Sequence, residues 1–432
     1  MARGRRAVVI GGGISGLTTA VVLAGHYERV TVVERDRLPD GPGFRGGVPQ
    51  SRHLHALMGG GQRALDGLLP GFTEELYEAG AVPLRTTYDH LWLSPVGWCS
   101  RFDPPSHVVL SATRELVEWV VRRRALRLPN VDIREDTQVQ GLVQGPGGEV
   151  AGVRIDGEAF SADLAVDASG RRSRTPQWLM ALGYDEPERT RVDSRPGYAS
   201  RFYAMPADFA DEWRVISIQP GPGQPLRGGA LVPVEGGRWL VSLYGYLDDH
   251  PPTDEEGFLA FAASLRHPVL HDTIENARPV GPIHGFRHMA NERHHYEALP
   301  RWPEGFLVVG DAACAVNPVY AQGMSMAAMT ARRLADVVGD EDCATIQKEI
   351  AAGNERAWQV ATGADLAYLG NGDEVDEEAR RTGEYMQRLL ELAMVDAEVN
   401  KTFFDVMMML AEPDVLSSPE LVARVAQGPA RP

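Results

Sequence analysis

Apolar positions along this chain follow two rhythms. Near the start, and again near residue 306, they gather in short runs: Ala7-Val8-Val9-Ile10, Val30-Thr31-Val32-Val33 and Phe306-Leu307-Val308-Val309. Compact β-branched runs bounded by glycine or charge predict strands buried on both faces. Between the first two, LTTAVVLAG from Leu17 predicts a helix with one buried face. From 187 to 298 the character changes: VISIQ, GGALVPV and RWLVSLYGY are strand-like, and the Gly-Gly of VEGGRW predicts a hairpin turn. DEEGFLAFAASL from Asp254 predicts an amphipathic helix packed on that sheet. Trp213, Phe202, Tyr203, Trp239, Leu243 and Tyr244 add large apolar surface there, most of it for core and some for a pocket. After residue 340, KEIAAGNERAW, ARRTGEYMQRLLELAMVDAEVNKTFFDVMMML and PELVARVAQ predict a helical region, with Met407-Met408-Met409 as helical core or pocket lining.

The uncharged stretch from Ala7 to Gly25 follows basic residues and competes as a signal peptide, a membrane span or a nucleotide cradle. GGGISG breaks the apolar run after four residues, which no signal-peptide core does. Each glycine would also cost a membrane helix about 1 kcal/mol of propensity. Nowhere else do the roughly 20 apolar residues of a span occur. Gly11, Gly13 and Gly16 instead stand in G-x-G-x-x-G order between strand and helix. The first permits a tight turn, the second a close pyrophosphate, and the third close packing of the helix. Ile14 and Ser15 complete the loop, whose N–H groups open the helix toward phosphate. Glu34, eighteen residues after Gly16, ends the second strand where a carboxylate can hold adenosine ribose, and Arg35 beside it joins the candidate contacts.

At 432 residues the chain suits two closely packed domains or one elaborated domain. The expected α/β organisation is a Rossmann-like domain over 1–186, completed by 299–340. A β-rich substrate domain is interleaved at 187–298, and a helical C-terminal region occupies 341–432. A formal charge of −16 repels nucleic acid and anionic lipid, so neither nucleic acid nor stable membrane attachment is expected. Three cysteines without CxxC spacing fit a reducing, cytoplasmic setting. The His53-x-His55 pair lacks further ligands nearby and is read as packing or pocket lining, with no metal expected. No G-x-S-x-G elbow occurs, and Cys314 reads as a packing residue, so no side chain is assigned as a catalyst.

Asp311 ends the third apolar run within GDAACAVNPVYAQGM (310–324). A carboxylate at the carboxyl end of a strand, among tiny residues, accepts hydrogen bonds from a polyol. FAD carries such a polyol in its ribityl chain and NAD does not. Gly323 and Met324 open an Ala- and Met-rich helix whose first N–H groups suit the flavin pyrimidine edge, where reduction builds negative charge.

With RGGVPQSRHLHAL (45–57), TREL around Arg114 and DASGRRS (167–173), these motifs span nearly the whole chain. Jointly they make it resemble the single-component flavoprotein monooxygenases of the aromatic-hydroxylase type. It is more closely similar to the epoxidase-like branch of polyketide biosynthesis, which also includes FAD-containing cyclases. The resemblance implies that Glu34 holds the adenosine ribose, Arg114 contacts the FAD chain, and the Val139 backbone lies near adenine. It places Asp167 and Arg171 in a motif near the cofactor associated with nicotinamide use. Asp311 would bind ribityl and pyrophosphate, Gly323 and Met324 the isoalloxazine, and Arg45 the flavin. Two departures stand out: Ala321 replaces a usual glycine, and the middle motif reads D-A-S-G-R. The implied reaction uses NADPH or NADH as transient reductant and O₂. It epoxidises or hydroxylates a large apolar polyene or polyketide through a flavin C4a-hydroperoxide. The alternatives are a non-redox [4+2]-type cyclase and, further off, a prenyl double-bond reductase.

Overall fold

The three apolar runs become neighbours in one sheet. The computed structural model describes residues 4–287, 289–369 and 377–428. Strand Gly4–Ile10 lies at the centre of a five-stranded parallel sheet. Tyr27–Val33 and Val131–Arg134 lie on one side of it, and Leu164–Asp167 and Phe306–Val308 on the other. Successive side chains of a strand face opposite ways, and here both ways lead into core. Ala7 and Val9 pack with helix residues Ala20, Leu23, Ala331 and Leu334, whereas Val8 and Ile10 pack with Val139, Leu142, Trp178 and Tyr296. Two apolar faces explain why these runs are unbroken rather than alternating. Helices Ile14–Ala24 and Gly323–Val337 cover one face, and a three-stranded antiparallel sheet of Val139–Gln144, Val150–Ile155 and Glu158–Ser161 backs the other.

A second, seven-stranded sheet runs in the order Pro279–Phe286, Gly197–Ala204, Arg238–Gly245, Arg227–Val234, Val215–Ile218, His90–Ser94, Gly97–Trp98. The Gly-Gly hairpin forms between Val234 and Arg238, with Gly236 and Gly237 at φ +76° and +63°. Helix Glu255–Ala263, capped by Asp254 accepting from the Gly257 N–H at 2.8 Å, buries Phe258, Phe261 and Ala262 on Tyr203, Trp239 and Leu243.

One boundary differs from the expectation. Residues 90–98 lie within the span assigned to the nucleotide domain, yet they join this second sheet, with Leu91 pairing parallel to Ile216. Leu93 enters the same core as Ile216. Trp92, on the opposite face, is covered by Phe403 and Phe404, with ring centroids 6.4 and 5.5 Å away. Burial on both faces therefore fixes the strand where it is, and no local pattern announces so distant a pairing.

The C-terminal region is helical: Cys343–Leu369, Glu377–Ala393, Ala397–Met407 and Pro419–Gln427. Its methionine triplet splits, Met407 being exposed and Met409 buried beside Met326 and Trp358. Among the described residues no helix is long and apolar enough to cross a membrane. Cys99, Cys314 and Cys343 are buried and form no disulfide, and burial pushes the Cys99 and Cys314 thiols up to about 12.

Helix Gly59–Leu68 packs on helix Gly323–Val337 so closely that a Cβ on Gly61 would lie 2.5 Å from the Ser325 Cα. Neither backbone can retreat locally, since the Ser325 Oγ also accepts from the Met58 N–H at 2.8 Å. Gly61→Ala is expected to cost about 1–3 kcal/mol through overpacking, read as a lower urea midpoint at unchanged slope.

Candidate cofactor site

At the carboxyl end of the central strand the chain turns at Gly11, φ +102°, where a Cβ would sit 2.6 Å from the Ala168 carbonyl oxygen. A Cβ on Gly16 would lie 1.9 Å from the Gly11 carbonyl oxygen. The protein's own backbone thus demands the first and third glycines. Gly13 is different: the nearest atoms to its would-be Cβ are Arg45 Nη2 at 3.8 Å and Arg114 Nη2 at 3.9 Å. Its backbone therefore faces space bounded by two guanidinium groups, beside the opening N–H groups of helix Ile14–Ala24. A phosphate suits that place. Ile14 is buried in the core and Ser15 is half-buried at the loop.

Those guanidiniums are held by carboxylates on their other edges. Arg45 Nε donates to Glu118 Oε1 at 2.8 Å, and its Nη1 donates to Asp36 Oδ2 at 3.0 Å while lying 3.2 Å from Glu34 Oε2. Arg114 Nη1 donates to Glu118 Oε2 at 2.8 Å. Among the described residues neither Nη2 makes a hydrogen bond, and both face Gly13. Burial opposes the Arg45 charge, but Glu118 and Glu34 more than offset it and hold the guanidinium above its ordinary value. Glu118 is likewise held below the usual carboxylate range, Arg114 and Arg45 outweighing the effect of burial. The network holds Arg45 beside the glycine loop and Glu34.

Glu34 is buried, and its Oε2 accepts the Gly12 N–H at 2.6 Å while its Oε1 accepts the Asp36 N–H at 2.9 Å. Oε1 keeps a second acceptor position, whereas Oε2 also faces Arg45 Nη1 at 3.2 Å. Thr137 donates its N–H to the Glu34 carbonyl at 2.9 Å, which brings the start of the Val139 strand alongside; the Val139 side chain itself is core. Arg35 is exposed at the rim, 3.4 Å from the Gly47 carbonyl.

The second half of the site arrives at Gly310, φ +62°, where a Cβ would lie 2.5 Å from Ser15 Oγ. The two motifs, nearly 300 residues apart in sequence, therefore meet in direct contact. Asp311 follows, partly exposed, with Arg171 Nε 3.6 Å from its Oδ2. Arg171 donates through Nη1 to the Ala290 carbonyl at 2.7 Å and through Nη2 to the Val316 carbonyl, tying three loops together. Its buried Nε has no hydrogen-bond partner. Asp167 is fully buried: Oδ1 accepts the Ser169 N–H at 2.8 Å, and Oδ2 accepts Ser173 Oγ and Thr175 Oγ1, each at 2.5 Å. This carboxylate organises its own loop.

The 45–57 loop lies against the second sheet. His53 Nδ1 is 2.8 Å from Ser200 Oγ, which is 2.5 Å from Ser242 Oγ, and Ser242 Oγ accepts the Leu54 N–H at 3.2 Å. The His53 ring packs on Tyr198, centroids 4.3 Å apart. Burial, aided by His55, His284 and Arg52, pushes His53 down to about 3; burial and Arg114 push His55 down to about 4. Both rings are neutral near pH 7. Ser200 and Ser242 pair directly across adjacent strands, so one sheet face presents hydroxyls and Tyr198 to this loop while the other holds Tyr203 and Trp239 in core.

Between Asp311 and the helix at Gly323 the chain makes a short turn over Pro318–Tyr320. Ala321 closes it in the left-handed region, φ +55°, ψ 25°, which is where a glycine is expected and an alanine is strained. A Cβ on Gly323 would meet nothing within 4 Å, so the helix N-terminus is approachable, whereas Met324 is buried. Beneath the turn lies Asp365, fully buried, accepting from Asn291 Nδ2 at 2.7 Å, Tyr320 Oη at 2.7 Å and Asn317 Nδ2 at 3.1 and 3.2 Å. Burial raises its carboxyl above the ordinary range against the pull of those donors. Sequence reading singled out neither Asp365 nor Glu118. The Arg114/Glu118 spacing of four was a readable helix-pair signal; nothing local marks Asp365. Ala321→Gly is expected to stabilise the protein by about 1 kcal/mol by relieving the left-handed strain, read as a higher thermal midpoint.

A cleft of about 310 Å³ lined by Tyr27, Asp163, Leu164 and Cys343 opens at the amino ends of the same strands, opposite the end where sheets of this type bind ligands. The converging donors lie at the carboxyl ends. Residues 5–339 match the FAD binding domain family. Protein Rv3254 of Mycobacterium tuberculosis is 35% identical over 348 residues, covering 76% of this chain and 72% of that one. The 6-methylpretetramide 4-monooxygenase of Streptomyces rimosus is 27% identical over 338 residues, covering 74% and 71%. Among solved structures, p-nitrophenol 4-monooxygenase PnpA from Pseudomonas putida DLL-E4 superposes with a TM-score of 0.66 at 17% identity, over 95% of this chain and 100% of that one. The myxobacterial chondrochloren halogenase CndH gives a TM-score of 0.62 at 20% identity, over 95% and 98%. These two likenesses establish the fold. The match over residues 5–339 shows that the chain belongs to the FAD binding domain family, and its named relatives there are FAD-dependent monooxygenases.

Proposed function

We propose that this protein transfers one oxygen atom to a large, apolar, electron-rich substrate of polyketide type. The product is an epoxide across a double bond or a hydroxylated carbon, and NADH or NADPH serves as the transient reductant. The observation that carries the reading is the contact of Gly310 with Ser15. It puts the phosphate loop and Asp311 within reach of one extended dinucleotide. A relative named for oxygenation of 6-methylpretetramide supports the substrate class.

The residues fit the cofactor. Arg45 and Arg114 each offer an unused Nη2 edge at Gly13 for the pyrophosphate, Glu34 offers an Oε1 acceptor position to the ribose, and Asp311 offers a partly exposed carboxylate to the ribityl hydroxyls. The open N-terminus at Gly323 presents partial positive charge toward the ring. When bound, FAD supplies the redox and oxygen chemistry, which leaves the chain to orient the substrate and exclude water. That division explains why no acid–base pair stands out. His53 and His55, held neutral, give the pocket wall polar contacts without a charge.

The purified protein is expected to be yellow and to release FAD on denaturation. Asp311→Ala is expected to weaken FAD binding about tenfold or more, the scale of one lost hydrogen bond to a charged group, measured by titrating apoprotein with FAD. Wild-type affinity in that variant would reject the ribityl assignment. With NADH or NADPH, air and candidate polyenes, the product is expected to be heavier by one oxygen. An isomer of unchanged mass would point to cycloaddition, a gain of two hydrogens to a reductase, and either would overturn the oxygenase reading.

A further inference from the structure

The long helix Cys343–Leu369 lies beyond the residues matched to the family, and the mechanism above makes no use of it. On one face it carries Asp365 and, three residues on, Tyr368. The Tyr368 ring packs at a tilt against Tyr246, just past the end of a strand of the second sheet, centroids 4.4 Å apart. Asp365 meets the turn that leads to Gly323. The helix therefore touches both the flavin-side turn and the substrate-side sheet.

The two asparagine amides beside Asp365 have only one consistent orientation. Asn291 Oδ1 accepts the Asn317 N–H at 2.7 Å, and Asn317 Oδ1 accepts the Val319 N–H at 3.1 Å. Each amide oxygen is thus committed to a backbone donor, which turns both Nδ2 groups toward Asp365. The Tyr320 hydroxyl is the third donor and the one that can rotate. Two amide donors and this hydroxyl converge on one buried carboxyl group, whose two oxygens meet all three. No arginine, lysine or histidine pairs with it among the described residues.

We propose that Asp365 is a positioning residue for the cofactor: by gathering Asn291, Asn317 and Tyr320 it sets the turn before Gly323, and so fixes where the helix N-terminus meets the flavin ring. The proposal rests on FAD occupying this site, and its test separates the two ideas.

The test compares Asp365→Ala, Asp365→Asn and Tyr320→Phe with the wild type. Hydrogen exchange at the Asn317 and Val319 amides is read without FAD. FAD affinity and the visible absorption spectrum are read with it. Asp365→Ala strands three buried donors; exchange at both amides is expected to quicken, FAD binding to weaken about tenfold, and the flavin bands to shift. In Asp365→Asn the new Oδ1 can accept from both asparagines while the new Nδ2 donates to a rotated Tyr320 hydroxyl, so most of the affinity and spectrum is expected to return. Tyr320→Phe removes one donor and is expected to fall between. If Asp365→Ala does not fold, the other two variants carry the same readings. Faster exchange with unchanged affinity and spectrum would reduce Asp365 to a structural role and overturn the proposal. Unchanged exchange would overturn it as well. A wild type that takes up no FAD would sink the cofactor reading while leaving the exchange result to stand.

Discussion

The site depends on chain segments meeting at the carboxyl edge of a parallel sheet so closely that three glycines leave no room for a Cβ. Gly16 lies on Gly11, Gly11 lies on the Ala168 carbonyl, and Gly310 lies on Ser15. Each approach is possible only because a hydrogen stands where a methyl would be. At this junction Asp167 ends its strand, Glu34 follows its strand directly, and Asp311 sits in the short 3-10 turn Gly310–Ala312 just past Val308. Placing the site on rigid elements lowers the ordering cost that binding an extended dinucleotide would otherwise carry.

Around that junction the charges are arranged before any ligand arrives. Glu118 spans Arg45 and Arg114, while Asp36 and Glu34 take the other edge of Arg45. Burying such charges costs several kcal/mol per ion unless the geometry and hydrogen bonding are good, and a pair of hydrophobic residues would serve stability as well. The network is better understood as orientation. It consumes the Nε and Nη1 edges of Arg45 and leaves Nη2 directed at Gly13, so a phosphate meets a donor whose rotamer is already set. The same logic governs the turn at Ala321, whose strained conformation persists because Asn317, Tyr320 and Asp365 over-determine it.

What could be read in the sequence was what obeys local rules. The glycine spacing, the apolar strand runs, the helix after Asp254 and the Gly-Gly hairpin each follow from the conformational needs of a few adjacent residues, and each appears in place. The glycine loop was legible for that reason. The carboxylate that orients Arg45 was not, because Glu118 lies 73 positions away. Residues 90–98 were assigned by sequence neighbourhood and placed by sheet pairing instead. Asp365 was illegible altogether: an aspartate in a helical run reads as a solvated face, and only the tertiary structure shows three donors around it.

The family match ends at residue 339, yet the turn it contains is completed from outside. Asn291, Asn317 and Tyr320 lie within the matched residues and their common acceptor beyond them. The C-terminal helices also cover the edge of the second sheet, through Phe403 and Phe404 on Trp92. Proteins that share this fold are named for different reactions, oxygenation and halogenation among them, so the shared portion holds the cofactor without dictating its use. One C-terminal region thus supports the turn before Gly323 at one point and packs on the second sheet at another, while the glycine junction rests on its own close backbone contacts.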